Sequence, residues 1–403
     1  MGRLLLRGKV LSATFLAGAL LSAVGPVFPQ GTANPWPEAS AQSVLVVDAE
    51  TGQSLFEKAP EMRSSPAGLV QILTALILLE KGQQTQWATV TKNLPRLPAP
   101  NLGLKPGDAV SIPELAKAVV VASANDAIFI ATSYLAGSPA QFAQMMNQRA
   151  VSLGLKNSHF TNPAGFEDSN QYSTAQDLTA LARAALQNPE FRRLAAAPKE
   201  VVTIFSNEGP RKVAVGSSNK LLPTFTGCDG IKPGASTGAS QSLTASATRD
   251  GWQIIATVLN SKNAVLDASV LMEHAFQNFR ALRVAAAGMP VAQFPVAGGV
   301  AKEVTAVPAE NLTVVVGKYV EMKTETVPRS SPLRAPIRAG DDIGHLVARL
   351  DTGEVYSFTL LAGHDVPASR LLDTAKDPRF VLALALLALA IILAIRAIKR
   401  RGK

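Results

Sequence analysis

Residues 66–74 read Pro66-Ala67-Gly68-Leu69-Val70-Gln71-Ile72-Leu73-Thr74, and the apolar run behind them continues to Leu79. Proline suits the first turn of a helix, where its missing N–H would have no partner anyway. The residues that follow leave no polar face, so the spacing predicts a helix buried almost all round. Residues three apart on such a helix share a face, and a reactive pair could be mounted there. Gly68 and Gln71 hold those two positions. Glycine has no side-chain nucleophile, and a glutamine amide does not take up a proton at neutral pH.

Working outward, Val44–Val47 and Ser54–Phe56 flank a turn at Asp48–Gly52 and read as a β-hairpin. A proline- and turn-rich stretch, Asn93–Gly107, follows the buried helix. Ser111-Ile112-Pro113-Glu114 has capping-box spacing and predicts a second helix carrying Leu115–Val121 into the core. Gln141–Leu153 and Thr174–Leu186 are further helical patterns. From Val201 the pattern becomes strand-like, at Val201–Phe205, Lys212–Val215, Ser242–Thr248 and Trp252–Leu259, before Leu266–Phe279 returns to helix. Beyond an Ala/Gly/Pro-rich connection, Leu312–Val316, Val320–Thr326, Ile343–Leu350 and Glu354–Leu361 alternate at period two. The expected architecture is an α/β-type mixed domain over 42–283, a sheet flanked by helices plus a helical cluster. A small all-β domain over 290–372 follows it.

The two ends read differently. Residues 1–33 run from Arg3, Arg7 and Lys9 through an apolar stretch to small residues, the order of a secretory signal. Residues 380–398 are almost wholly apolar and predict a transmembrane helix, with a basic cytoplasmic tail at 399–403. The bulk of the chain is thereby expected outside the cytoplasmic membrane. Of the net charge of +9, three positive charges fall in the first segment and five lie from Arg396 onward. About one remains for the rest, which removes the argument for nucleic acid. The single cysteine, Cys228, excludes an internal disulfide. The four histidines are scattered without metal-ligand spacing, so neither a metal nor a cofactor is expected.

Three segments, PAGLVQILTA at 66–75, ASANDA at 122–127 and DGIKPGAS at 229–236, together resemble the serine D-alanyl-D-alanine carboxypeptidases, the low-molecular-mass penicillin-binding proteins. The resemblance covers residues 42–372. It implies a Ser-x-x-Lys, Ser-x-Asn and Lys-Thr-Gly triplet around one cleft. Ser123 and Asn125 stand in the second motif, and Lys232 and Gly234 in the third. Pro233 replaces the threonine, and Pro233, Gly234 and Ala235 form the implied substrate-binding strand. Gly68 and Gln71 occupy the nucleophile and base positions. Proline also lacks an N–H, which confines its strand to an edge or bulge.

Three readings follow. In the first, the chain is a catalytically impaired member of cell-wall metabolism that binds peptidoglycan stem peptides or envelope proteins. In the second, it is an active carboxypeptidase with an unusual centre built on Ser123 and Lys232. In the third, it is a structural envelope protein with a vestigial cleft.

Overall fold

The computed structural model describes residues 35–235, 240–369 and 378–401. The expected signal over 1–33 lies outside them. The first described elements are the hairpin β1 (Ser43–Asp48) and β2 (Ser54–Lys58), then a 3-10 turn at Ala67–Leu69 that leads into α1 (Val70–Lys81). Short strands β3 (Trp87–Thr89) and β4 (Ala109–Ser111) bracket the proline-rich stretch. Four helices follow: α2 (Ile112–Lys117), α3 (Asn125–Ala136), α4 (Pro139–Ser152) and α5 (Ala175–Leu186). A π-helical turn, Ala118–Ala122, joins α2 to α3.

Next come α6 (Pro189–Ala195), the hairpin β5 (Lys199–Ser206) and β6 (Gly209–Gly216), and three long strands. These strands are β7 (Cys228–Ala235), β8 (Gln241–Arg249) and β9 (Trp252–Ser261). With the first hairpin they form an antiparallel sheet in the order β2-β1-β9-β8-β7. Pro233 therefore sits on an edge strand, where a missing N–H breaks no second ladder. One sheet face, with Leu45, Val47 and Ile255, packs on α1 and α5. The other face, with Val44, Val46 and Ile254, packs on α7 (Ala264–Asn278). Successive residues of one strand thus serve opposite cores, as pleating requires.

The expected capping box at Ser111 is not formed. Ser111 makes no side-chain cap bond, because Glu114 is drawn instead to Lys117 Nζ, at 2.7 Å, and to the Thr203 N–H, at 2.6 Å. Asn263 does cap α7, accepting from the Leu266 N–H.

Beyond α7 the chain is β-rich. β10 (Phe279–Ala285) precedes β11 (Ala292–Ala297), β12 (Glu303–Pro308) and β13 (Leu312–Gly317). β14 (Met322–Pro328), β15 (Leu333–Arg334), β16 (Asp342–Leu350) and β17 (Val355–Ala362) complete it. β10 pairs with β13, and the others form a sheet in the order β14-β16-β17-β12-β11-β15. Gln53 fastens this unit to the first hairpin: its Nε2 donates to the Val315 carbonyl and its Oε1 accepts from the Val315 N–H, both at 2.9 Å. Glu50 adds contacts with Thr313, Asn311 and Arg283.

The last helix, α8 (Pro378–Arg401), carries eight large aliphatic side chains that are about half exposed or more, from Leu382 to Leu393. Among the described residues no helix is long and apolar enough to cross a membrane. The span expected over 380–398 is not found there, and the side chains at 380, 381 and 394–398 lie outside what is described.

Candidate active site

The three sequence segments converge where the turn before α1 meets the edge of the main sheet. Gly234 on β7 lies so close to that turn that a Cβ there would stand 3.3 Å from both the Leu69 nitrogen and the Pro66 carbonyl. A Cβ on Gly68 would in turn lie 3.2 Å from the Pro233 carbonyl and 3.5 Å from the Gly234 Cα. Contacts near 3.2 Å are tighter than ordinary carbon packing at ~3.5–4.0 Å, so β7 would have to yield slightly for any side chain at 68. The turn is closed from the other side by Gly165, whose positive φ of 84° and bare Cα let it abut the Ala67 carbonyl.

Gln71, one turn into α1, points into packed protein and is 5% exposed. Its Nε2 donates to the Ala164 carbonyl at 2.9 Å, and three residues on, Thr74 Oγ1 donates to the Pro163 carbonyl at 2.7 Å. Together they clamp the segment 163–165 over the helix. Gln71 Oε1 is buried and finds no hydrogen-bond partner. A buried unpaired acceptor costs about 1–3 kcal/mol, so this glutamine is a strained tenant of its position.

Ser123 ends the π-helical turn in the left-handed conformation, φ 57° and ψ 31°, which few non-glycine residues adopt. Asn125 begins α3 and is buried. Its Nδ2 donates to the Pro98 carbonyl at 3.0 Å and its N–H to the Pro100 carbonyl at 2.8 Å. Asp126 beside it accepts from the Leu102 and Leu104 N–H groups at 2.9 and 3.1 Å. Both side chains thus hold the proline-rich stretch against the site.

Lys232, on β7, is 2% exposed. Its Nζ donates to the Val119 and Val120 carbonyls at 2.8 and 2.9 Å, satisfying two main-chain acceptors of the π-helical turn. Burial pushes its pKa down to about 7, because an uncompensated ammonium is disfavoured away from water. It makes no hydrogen bond to Ser123. β7 thus meets the turn at Gly68 through Pro233 and Gly234. Through Lys232 it meets the π-helical turn that Ser123 ends and Asn125 follows, while Gln71 is turned to Ala164. Ala235 ends β7 opposite Gln241.

The one Ser-x-x-Lys in the sequence, Ser217-Ser218-Asn219-Lys220, lies in the loop before β7. Ser217 Oγ accepts from the Asn219 N–H at 3.2 Å, and Lys220 is exposed. Sequence reading missed the parts played by Ala164, Gly165 and Asp126. The Asn162-Pro163-Ala164-Gly165 turn signal was available, but nothing in it said which helix it would cover.

An antiparallel sheet with helices on both faces, a helical cluster, and three motifs meeting at the sheet edge define a serine-hydrolase-type scaffold. The family model for D-alanyl-D-alanine carboxypeptidase matches residues 30–263, and that for the C-terminal domain of penicillin-binding protein 5 matches residues 279–368. The chain belongs to the D-alanyl-D-alanine carboxypeptidase family. It is 25% identical over 370 residues to the D-alanyl-D-alanine carboxypeptidase DacF of Bacillus subtilis, spanning 89% of this chain and 94% of that protein. With DacA of Escherichia coli it shares 26% identity over 363 residues, 85% and 87% of the two chains. The structure of penicillin-binding protein 5 from Haemophilus influenzae superposes with a TM-score of 0.73 at 26% identity, covering 83% of this chain and 99% of that one.

Proposed function

We propose that this protein is a catalytically impaired carboxypeptidase homologue that binds peptidoglycan stem peptides without cleaving them. The observation that carries the reading is the identity of the residues at 68 and 71, glycine and glutamine, at the entry to α1. Neither supplies a hydroxyl or a titrating base, and acyl transfer to serine needs both. The fit around them supports it: the gap between residue 68 and β7 is sized for glycine, and Gln71 is engaged with Ala164. The alternative, hydrolysis from Ser123 with Lys232 as base, is disfavoured because Lys232 Nζ is directed to the Val119 and Val120 carbonyls and makes no hydrogen bond to Ser123.

On this reading the protein works outside the cytoplasmic membrane, exported by residues 1–33 and attached through α8. The aliphatic side chains that α8 leaves exposed support the attachment. The test is incubation with a fluorescent penicillin and, separately, with a stem pentapeptide. Reversible pentapeptide binding with no covalent label and no D-alanine release is expected. A stable adduct on the unmodified protein refutes the impairment.

A further inference from the structure

The sheet β3-β4-β5-β6 presents an outer face that the main core does not use. Its pleat is clean: Val202 and Ile204 are buried while Val201 and Phe205 alternate outward. Register places Phe205 opposite Ala109, Trp87 opposite Ser111, and Thr203 opposite Lys212, all on that face. Trp87 is 47% exposed, Val201 46% and Phe205 43%. The Trp87 and Phe205 rings meet edge to face with centroids 5.1 Å apart, so the pair is held in one arrangement.

The charged members of the outward row are Lys199 and Lys212, both exposed. Of the neighbouring acids, Glu114 is paired with Lys117 and bonded to the Thr203 N–H, Glu200 is paired with Arg193, and Glu208 stands exposed at the β5–β6 turn beyond the row. The face is therefore aromatic and cationic, with hydroxyls from Thr89, Ser111 and Thr203 set between.

That combination selects a ligand class. Three large exposed side chains fall well short of the ~800 Å² per partner of a stable protein interface. A lipid surface calls for an unbroken apolar face, and here polar residues interrupt it. Sugar rings carry an apolar C–H face and hydroxylated edges, which match an aromatic pair rimmed by hydroxyls, and carboxylates on the sugar match the two lysines.

We propose that this face binds denuded glycan, the polysaccharide backbone from which stem peptides have been cleaved, so that its sugar carboxylates are free. The choice of polymer rests on the reading above; the surface itself does not include the cleft. It is linked to the motif region by the proline-rich stretch. Arg211 on β6 donates to the Leu102 and Gly103 carbonyls at 3.4 and 2.9 Å, while Asn125 holds Pro98 and Pro100 of the same stretch.

The experiment is co-sedimentation of the full chain, in detergent micelles, with insoluble peptidoglycan stripped of its peptides by an amidase. Binding is expected for the wild type, weakened at least about ten-fold in Trp87→Ala/Phe205→Ala. Lys199→Glu/Lys212→Glu guards against misfolding, since both lysines are exposed, and is expected to weaken binding to a similar degree. Amidating the glycan carboxylates should abolish the difference between this second variant and wild type. Wild-type binding by both variants overturns the proposal. So does loss of binding only to anionic lipid vesicles, or a change only in self-association. Soluble pentapeptide binding is measured in parallel and is expected to be unchanged in both variants. Its absence from the wild type, with glycan binding retained, removes the stem-peptide reading and leaves this one standing.

Discussion

The Pro233 carbonyl lies 3.2 Å from the point that a Cβ on Gly68 would occupy. The strand and the turn have settled around a residue without a side chain. Gly68→Ser alone is therefore expected to lower stability by about 1 kcal/mol, as overpacking does, and to gain no penicillin labelling. The combined Gly68→Ser, Gln71→Lys and Pro233→Thr variant is expected to recover weak labelling. Denaturant titration and intact mass spectrometry read the two effects, and labelling of Gly68→Ser without Gln71→Lys would contradict the need for a base.

Lys232 gives a pH prediction with a definite sign. Its folded pKa is lowered to about 7, below the ordinary lysine value of 10.5, so the unfolded chain binds the extra proton between them. Stability therefore rises with pH above about 7, by at most roughly 1.4 kcal/mol per unit from this one group, and the burial cost is present in full below 7. Urea unfolding at pH 6, 7.5 and 9 measures it. Lys232→Met should flatten that slope; an identical slope in both proteins would assign it to other groups.

At Gln71 the two amide atoms fare differently, one bonded to Ala164 and one unpaired. Gln71→Glu is expected to be tolerated while protonated, because its hydroxyl can then donate to the Ala164 carbonyl. Burial raises a carboxyl pKa, so this variant loses stability as pH rises through its folded value. Thermal melting at pH 5 and pH 8 should show a deficit that grows with pH relative to wild type.

Asp267 ties the chain's entry to α7. It accepts from the Ser40 and Ala41 N–H groups at 3.1 and 2.9 Å and from Ser261 Oγ at 2.6 Å. Asp267→Ala strands these donors and is expected to cost about 2–3 kcal/mol. Limited proteolysis should then cut near Ser40 before the rest of the chain; uniform resistance would show that Trp36, stacked among Phe56, His274 and Phe279, holds the entry unaided.

Much of this architecture was legible from local pattern. The buried α1 follows from an apolar run of helical length, β8 and β9 from runs of small and β-branched residues bounded by turns, and β16 and β17 from period-two alternation. Pro233 announced an edge strand through its missing donor. Helix α3 was harder to read: its Asn125-Asp126 start caps a long-range loop instead of a local turn. The Ser111 box failed for a related reason, since Glu114 found partners on Lys117 and a distant strand. At the site, the sequence named Gly68, Gln71, Ser123, Asn125 and Lys232. It could not foresee that Lys232 turns to the π-helical carbonyls or that residues 163–165 are clamped over α1. Both depend on contacts some 90 to 113 residues apart in the chain.

The reciprocal bonds between Gln53 and Val315 have a mechanical consequence. They let a side chain act as one more rung between the first hairpin and β13, so force entering from the C-terminal end need not travel through the single covalent crossing at Phe279. A pull on that end is shared with the β2-β1 side of the main sheet, and the two halves behave as one strut instead of beads on a string.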